Sequence, residues 1–487
     1  MKLYKKSAAE LSDLLRQKEV SAVEVARDLL ARTEQTEKAV GAYITLCADE
    51  ALKQAADIDA KRAAGEPLSA LAGIPISYKD NLCTAGVRTT CASRILDTFV
   101  PPYSATVAEK AAAAGLVMTG KVNLDEFAMG SSCQTSALQT TRNPHDLTRV
   151  PGGSSGGGAA SVAAGQTPLS LGTDTGGSVR NPAAYCGVVG FKPTYGTVSR
   201  FGLTAVASSM DQIGVISRTV RDAALLFDCI RGHDPRDSTS LRENFPSLAD
   251  ALDGGVKGLR IALPKEYFDP SLSADVRDSV QKAAQTLASL GAHVEEISLP
   301  MTPHVMAVYH AIATAEASSN MACFDGVRFT RRADNIKDLV ELYEKTRSQF
   351  FGEEVQLRIL LGTLALSSQY YDVYYAKARL ARHKIKQELT DALTQWDLLL
   401  TPVTASAAFP IDEAPDDLLS DRYLAGANLA GLPAIALPCG ISEQNLPVGV
   451  QLIAPRLGEQ TLLRAAAAFE QQSGYTNTLA CVKGVDA

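Results

Sequence analysis

The sequence predicts an α/β layered fold, and three observations carry that reading. Short apolar runs suited to buried strands alternate with stretches whose apolar residues recur at helical spacing. The alternation runs from about residue 71 to a closing helix at 458–472, broken by one long helical stretch at roughly 303–395. At 487 residues, 46% hydrophobic and 21% charged, the chain can bury a large core.

The elements follow in order. Ser7-Ala-Ala-Glu10 and Ser21-Ala-Val-Glu24 are capping boxes ahead of apolar periodic stretches, which predicts two N-terminal helices ending near Glu37. An Ala-rich charged helix is expected from Asp49 to Ala64, then a buried strand from Leu71 to Tyr78 running into Lys79-Asp80-Asn81. Helix 104–114 leads to the apolar strand Leu116–Thr119, and 162–190 reads as helix, short strand, glycine turn and Ala-rich packing. The turn-rich stretch 232–258 is the best surface connection. Beyond it come strand Leu259–Leu263, helix 273–290, strand His293–Ile297, the helical region, and strands near 398–401, 434–438 and 449–453. The chain therefore divides into an N-terminal helical arm at 1–60 and one domain at 61–487 with a helical excursion at about 303–395.

Composition narrows the function classes. A formal charge of −7 argues against this chain as the principal grip on a nucleic acid. The N-terminus turns polar within a few residues and no run of about 18 apolar residues occurs, so neither a signal peptide nor a membrane span is expected. Nine cysteines without a CxxC pair read as reduced thiols of a cytoplasmic protein. The six histidines lack ligand spacing, so no metal site is expected.

The chemistry concentrates between Pro151 and Arg180, where Gly152-Gly153-Ser154 and Gly176-Gly177-Ser178 flank a run of small residues. Glycines beside a serine let backbone approach a ligand, and N–H groups exposed at such a turn can stabilise an oxyanion. Three rival readings fail on context. Ser154 and Ser155 both match G-x-S-x-G, but Arg142–Pro151 before them holds two prolines and no strand to form a nucleophile elbow. Gly115–Lys121 matches GxxxxGK, yet Val122 stands where a phosphate loop needs Ser or Thr. A flexible linker would not be bordered by Ala-rich segments that must pack, nor repeat its Gly-Gly-Ser.

A base is then needed, and Lys79, at the end of an apolar run, is the strongest candidate. Lysine acts as a base only when neutral, and burial that achieves this costs on the order of 4–7 kcal/mol. The alternative is a Lys79 that pairs with Asp80 or reaches solvent.

Gly73-Ile-Pro-Ile-Ser-Tyr-Lys79, the 151–165 block and Gly172-Thr-Asp-Thr-Gly-Gly-Ser178-Val-Arg, in this order and separation, resemble the amidase signature family. The likeness continues through Cys186–Gly196 to Asn428-Leu-Ala-Gly-Leu-Pro. It implies a mixed central β-sheet covered by helices on both faces, and a Ser-cisSer-Lys triad. Ser178 would be the nucleophile, Ser154 after a cis peptide the bridge, and Lys79 the terminal base. Backbone around Thr175, Gly176 and Gly177 would form the oxyanion hole.

Asp125–Ser132, Ser199–Leu203, Ala207–Gly214 and Glu316–Asn320 are similar to the glutamine-hydrolysing subunits of tRNA-dependent amidotransferases within that family. That likeness implies glutamine as substrate, with Arg358 for its α-carboxylate, Asp421 for its α-amine and Tyr309 beside them. It implies B and C partner subunits that receive the ammonia and amidate Glu-tRNA(Gln), with Asp-tRNA(Asn) as a second candidate. No cofactor is expected in this chain; ATP and Mg would serve the partner, which would also hold most of the tRNA. A stand-alone amidase acting on other small or aryl amides is the alternative, and its pocket would need neither charge.

Overall fold

Eleven strands form one mixed sheet in the computed structural model, which describes residues 1–243, 246–413, 421–475 and 477–486. In chain order they are β1 (Tyr43–Leu46), β2 (Pro75–Lys79), β3 (Val117–Val122), β4 (Leu169–Asp174), β5 (Val189–Lys192) and β6 (Gln212–Ser217). Then come β7 (Arg260–Pro264), β8 (His293–Ile297), β9 (Leu398–Pro402), β10 (Ala434–Ile441) and β11 (Pro447–Ile453). Their spatial order is β1-β3-β2-β4-β6-β5-β10-β11-β9-β7-β8. The pairs β2/β3, β2/β4, β7/β8 and β7/β9 are parallel, and the remaining six are antiparallel.

The helices are α1 (Ala8–Arg16), α2 (Ala22–Val40), α3 (Ala48–Ala63), α4 (Thr106–Ala113), α5 (Gly156–Ala163), α6 (Arg180–Cys186) and α7 (Val220–Ile230). They continue with α8 (Ala274–Ser289), α9 (Val305–Asn320), α10 (Leu339–Phe350), α11 (Glu353–Leu366), α12 (Lys377–Gln395), α13 (Ala425–Ala430) and α14 (Glu459–Ser473). Both N-terminal capping boxes form: Ser7 and Ser21 accept from the N–H groups of Glu10 and Glu24, whose carboxylates reach back. The central strands are buried on both faces, which explains their continuous apolar character. Along β6, Ile213 and Val215 join the main core with α7, α8 and α14, whereas Ile216 packs with α5 and α6. Helices therefore cover both faces of the sheet, as the sequence reading expects.

Residues 1–60 form α1, α2 and most of α3, pack Leu11, Leu15, Val25 and Leu29 into the main core, and add β1 to the sheet edge beside β3. The excursion after residue 303 holds α9 to α12, and 232–258 runs in turns among its described residues, with 244–245 outside them. Strand β2 begins at Pro75, later than Leu71, because the backbone turns at Gly73 (φ 92) before entering the sheet. The sequence reading named no strand at β1, β5 or β6.

Phe227 of α7 is fully buried with its ring edge-on to Phe191 of β5, centroids 5.2 Å apart. Phe227→Ala should cost about 3–5 kcal/mol of unfolding free energy, read from the midpoint of a urea transition at unchanged slope.

Candidate active site

Lys79 ends β2, fully buried between β3 and β4. Its Nζ donates to Ser154 Oγ at 2.7 Å, Ser155 Oγ at 2.9 Å and the Thr173 carbonyl at 3.3 Å. Burial lowers its pKa to about 7, against the opposing pull of Asp125, Cys133, Asp174 and Asp211 farther off. The next residue faces away. Asp80 takes Lys121 Nζ at 3.1 Å and the Thr90 N–H at 2.8 Å, so Lys79 neither pairs with Asp80 nor reaches solvent. Lys121, the lysine of the GxxxxGK match, is a structural residue that also donates to the Leu82 carbonyl and Thr89 Oγ1.

The first Gly-Gly-Ser lies directly over the lysine. The Gly153–Ser154 peptide is cis. A side chain at Gly153 would strike the Asp125 carboxylate, so only glycine lets this turn sit down on residues 125–132. Asp125 donates its N–H to the Ser154 carbonyl (3.3 Å), while its carboxylate accepts from the Cys133 N–H (2.9 Å) and Thr135 Oγ1 (3.0 Å). Ser155 bridges the two serine turns: its Oγ lies between Lys79 and Thr173, and its N–H donates to the Ser178 carbonyl at 3.0 Å.

The second Gly-Gly-Ser links β4 to α6. A buried ion pair ties its two ends, with Arg180 Nε and Nη2 donating to both oxygens of Asp174 at 3.0 and 2.9 Å. Burial alone would raise the Asp174 pKa; the Arg180 charge outweighs it and holds it at about 2. Asn428 donates to Asp174 and accepts from Arg180, and Arg180 also reaches Gln451. Thr175 Oγ1 donates to Asp211 at 2.7 Å, which pins the start of the turn. Among the described residues, none of the backbone N–H groups of Thr175, Gly176 and Gly177 donates to a protein acceptor.

Two proposed substrate residues close over this turn. A Cβ at Gly176 would lie 2.5 Å from the Tyr309 hydroxyl, so the ring of Tyr309, on α9, rests on that glycine. Leu424 presses on Gly177 in the same way, and its N–H is held by the carbonyl of buried Asp421. The Tyr309 pKa is raised by burial first and by Asp421 next, with Arg358 opposing, so both charges reach its phenol. Arg358 lies on α11, in the wall of a cleft of about 590 Å³ shared with His310, Thr314 and Leu361, and pairs with Glu354 at 2.6 Å.

The structure thus sets Lys79 against Ser154, joins the Ser154 turn to the Ser178 turn through Ser155, and rests Tyr309 on Gly176 and Leu424, three residues after Asp421, on Gly177; Arg358 lines a cleft with His310, the neighbour of Tyr309. Sequence reasoning passed over Ser155, Asp125, Asp174, Arg180 and Asp211 as parts of the site. Their signal was a density of polar residues in segments otherwise too apolar to be surface.

The amidase family model matches residues 24–463. This chain belongs to the amidase family. Among curated relatives, the glutamyl-tRNA(Gln) amidotransferase A subunit of Moorella thermoacetica is 53% identical over 479 residues, 98% of either chain. The same-named protein of Carboxydothermus hydrogenoformans is 52% identical, over 98% of this chain and 99% of its own. The crystal structure of the glutamyl-tRNA(Gln) amidotransferase A subunit from Thermotoga maritima superimposes with a TM-score of 0.83 at 41% identity, over 100% of this chain and 99% of that one. No helix among the described residues is long and apolar enough to cross a membrane, and no group of three or more His, Cys, Asp or Glu among them could hold a metal ion.

Arg180→Met would leave Asp174 a buried charge without its partner. A loss of about 3–5 kcal/mol in unfolding free energy is expected, measured by chemical denaturation, with Asp174 and Asn428 variants non-additive to it.

Proposed function

We propose that this chain hydrolyses the side-chain amide of glutamine and hands the ammonia to a partner subunit. The observation that carries the reading is Lys79: a buried lysine with its pKa near 7, 2.7 Å from a serine hydroxyl under a glycine turn. Glutamine as substrate is what the sequence resemblance implies, and the amidotransferase names of the relatives support it.

Ser178 Oγ attacks the carboxamide carbon, and its proton passes through the Ser154 hydroxyl to neutral Lys79. The N–H groups of Thr175, Gly176 and Gly177 receive the charge that develops on the carbonyl oxygen. As the C–N bond breaks, Lys79 returns the proton by the same route and ammonia leaves. Water, deprotonated along that route in turn, attacks the Ser178 ester and releases glutamate. Arg358 takes the α-carboxylate, for which a guanidinium offers paired donors. Asp421 takes the α-ammonium, and Tyr309 walls the chain between them.

The partners are the B and C subunits of a heterotrimeric cytoplasmic complex. There the ammonia amidates Glu-tRNA(Gln), or Asp-tRNA(Asn), in a step that uses ATP and Mg on the partner. An acidic chain with net charge −7 leaves most of the tRNA binding to that partner.

Incubation with an electrophilic glutamine analogue, followed by peptide mass spectrometry, should place the adduct on Ser178 and be blocked by excess glutamine. Ser178→Ala should abolish ammonia release, and a rate near wild type would overturn the mechanism. Hydrolysis of a simple amide without labelling would favour the stand-alone amidase.

The pH dependence has a definite sign. Lys79 works as a base only when neutral, so kcat/KM for glutamine should rise as pH increases through about 7. Below that pKa a single proton requires about a tenfold change per pH unit, so a profile flat across the range around neutrality would remove Lys79 as the base.

A further inference from the structure

Glu126 is buried, 1% exposed, and stands immediately after Asp125, yet its carboxylate is engaged with residues outside the two serine turns. One oxygen accepts from Ser93 Oγ, and the other accepts the Gly352 N–H at 2.8 Å. Gly352 is the N-cap of α11, the helix that carries Arg358, and it has no side chain with which to cap that helix itself. A Cβ there would collide with the Glu126 carboxylate, so glycine is what admits the contact. A carboxylate at this end of a helix satisfies an N–H and meets the positive end of the helix dipole.

The neighbours of Glu126 make the contact rigid. Asp125 holds the Ser154 carbonyl through its N–H, and the Glu126 N–H donates to Thr135 Oγ1 at 3.0 Å. Phe127 and Ala128 occupy left-handed backbone (φ 50 and 59), rare for residues with side chains. Surrounding packing must hold such a pair in place. The Phe127 ring is gripped by Phe324 at 4.8 Å and Phe351 at 5.6 Å, the latter next to Gly352. Residues 125–127 thus form a bracket with one end under the Ser154 turn and the other on the base of α11. Arg358 lies six residues beyond Gly352, about 9 Å along the helix axis.

We propose that Glu126 is a positioning residue that fixes α11, and with it Arg358, at a set distance from the serines, so that it governs affinity for the substrate α-carboxylate rather than the acyl-transfer step. The inference rests on the glutamine reading above. A tilt of α11 displaces Arg358 from the carboxylate while leaving Lys79, Ser154 and Ser178 on the sheet unmoved.

The test compares glutamine with a short aliphatic primary amide lacking both α-groups, using the full chain together with its partner subunits. Glu126→Ala should raise the glutamine KM at least about tenfold, with kcat and simple-amide hydrolysis little changed. Glu126→Gln, which retains an acceptor for Gly352 and a partner for Ser93, should restore the KM. Gly352→Ala perturbs the same contact from the other side and should reproduce the KM increase; it carries the test should Glu126→Ala fail to fold. Loss of both activities in parallel, or an unchanged glutamine KM, would overturn the proposal. Arg358→Ala separates the two levels: no glutamine turnover by the unsubstituted protein sinks the glutamine reading itself, an unchanged KM in Arg358→Ala removes Arg358 as the carboxylate ligand and the proposal with it, and a raised KM there with none in the Glu126 and Gly352 variants sinks only the bracket.

Discussion

A lysine held away from water with hydroxyls and a carbonyl as its contacts is the constraint on which the rest of the structure depends. Moving Lys79 from its usual pKa to about 7 opposes folding by on the order of 5 kcal/mol, comparable with the whole net stability of many domains. Among the described residues no carboxylate lies within ion-pair distance of its Nζ; Asp125, Asp174 and Asp211 exert only longer-range attraction. Each of those three carboxylates is occupied elsewhere, by backbone N–H groups, by Arg180 and by Thr175. The surroundings thus hold the charges a neutral lysine must not touch, each bound to another group. Asp80, adjacent in sequence, is diverted to Lys121 by the alternation of side chains along a strand.

The serines reach this lysine because of the order of the sheet. Strands β2 and β4 lie side by side, so Lys79 at the end of one and Thr173 near the end of the other converge, and the turn after β4 carries Ser178. Helix α5 begins at the other serine turn, and the Ser155 N–H to Ser178 carbonyl bond joins the two. Small residues fill this region because the turns approach one another more closely than side chains allow, and Gly153 and Gly176 face a carboxylate and a phenol at contact distance.

Local patterns made much of this legible. Two capping boxes gave α1 and α2; continuous apolar runs gave β9, β10 and β11 within a few residues; and the apolar run before Lys79 with the Gly-Gly-Ser at 152–154 pointed to two groups that the structure brings to 2.7 Å. Strands whose identity rests on distant partners were missed. Tyr43–Leu46 is four residues long and becomes a strand only by pairing with β3, some 75 residues later. Gln212–Ser217 begins and ends with polar residues, and its strand character comes from lying between β4 and β5. Residues 1–60 read as an arm because periodicity shows an apolar face but not what covers it. Glu126 lies within the Asp125–Ser132 stretch, but its partner Gly352 is 226 residues away, a contact no spacing rule reaches.

The residues proposed for chemistry and those proposed for recognition lie on different layers. Lys79, Ser154 and Ser178 belong to the sheet and its turns, whereas Tyr309 and Arg358 belong to helices of the excursion. Apolar packing joins the two layers, with Val308 and Ile312 of α9 and Leu389 of α12 in the main core, and specific polar contacts add to it. Tyr309 rests on Gly176; Glu126 holds the base of α11; and Glu316 of α9 accepts from the Ser209 N–H and Oγ at 2.9 and 2.6 Å. Arg382 of α12 grips the same Ser209 and the Leu429 carbonyl, and the loop they clamp ends in Asp211, the acceptor for Thr175. The buried lysine itself makes its three hydrogen bonds to Ser154, Ser155 and Thr173, none of which lies on those helices.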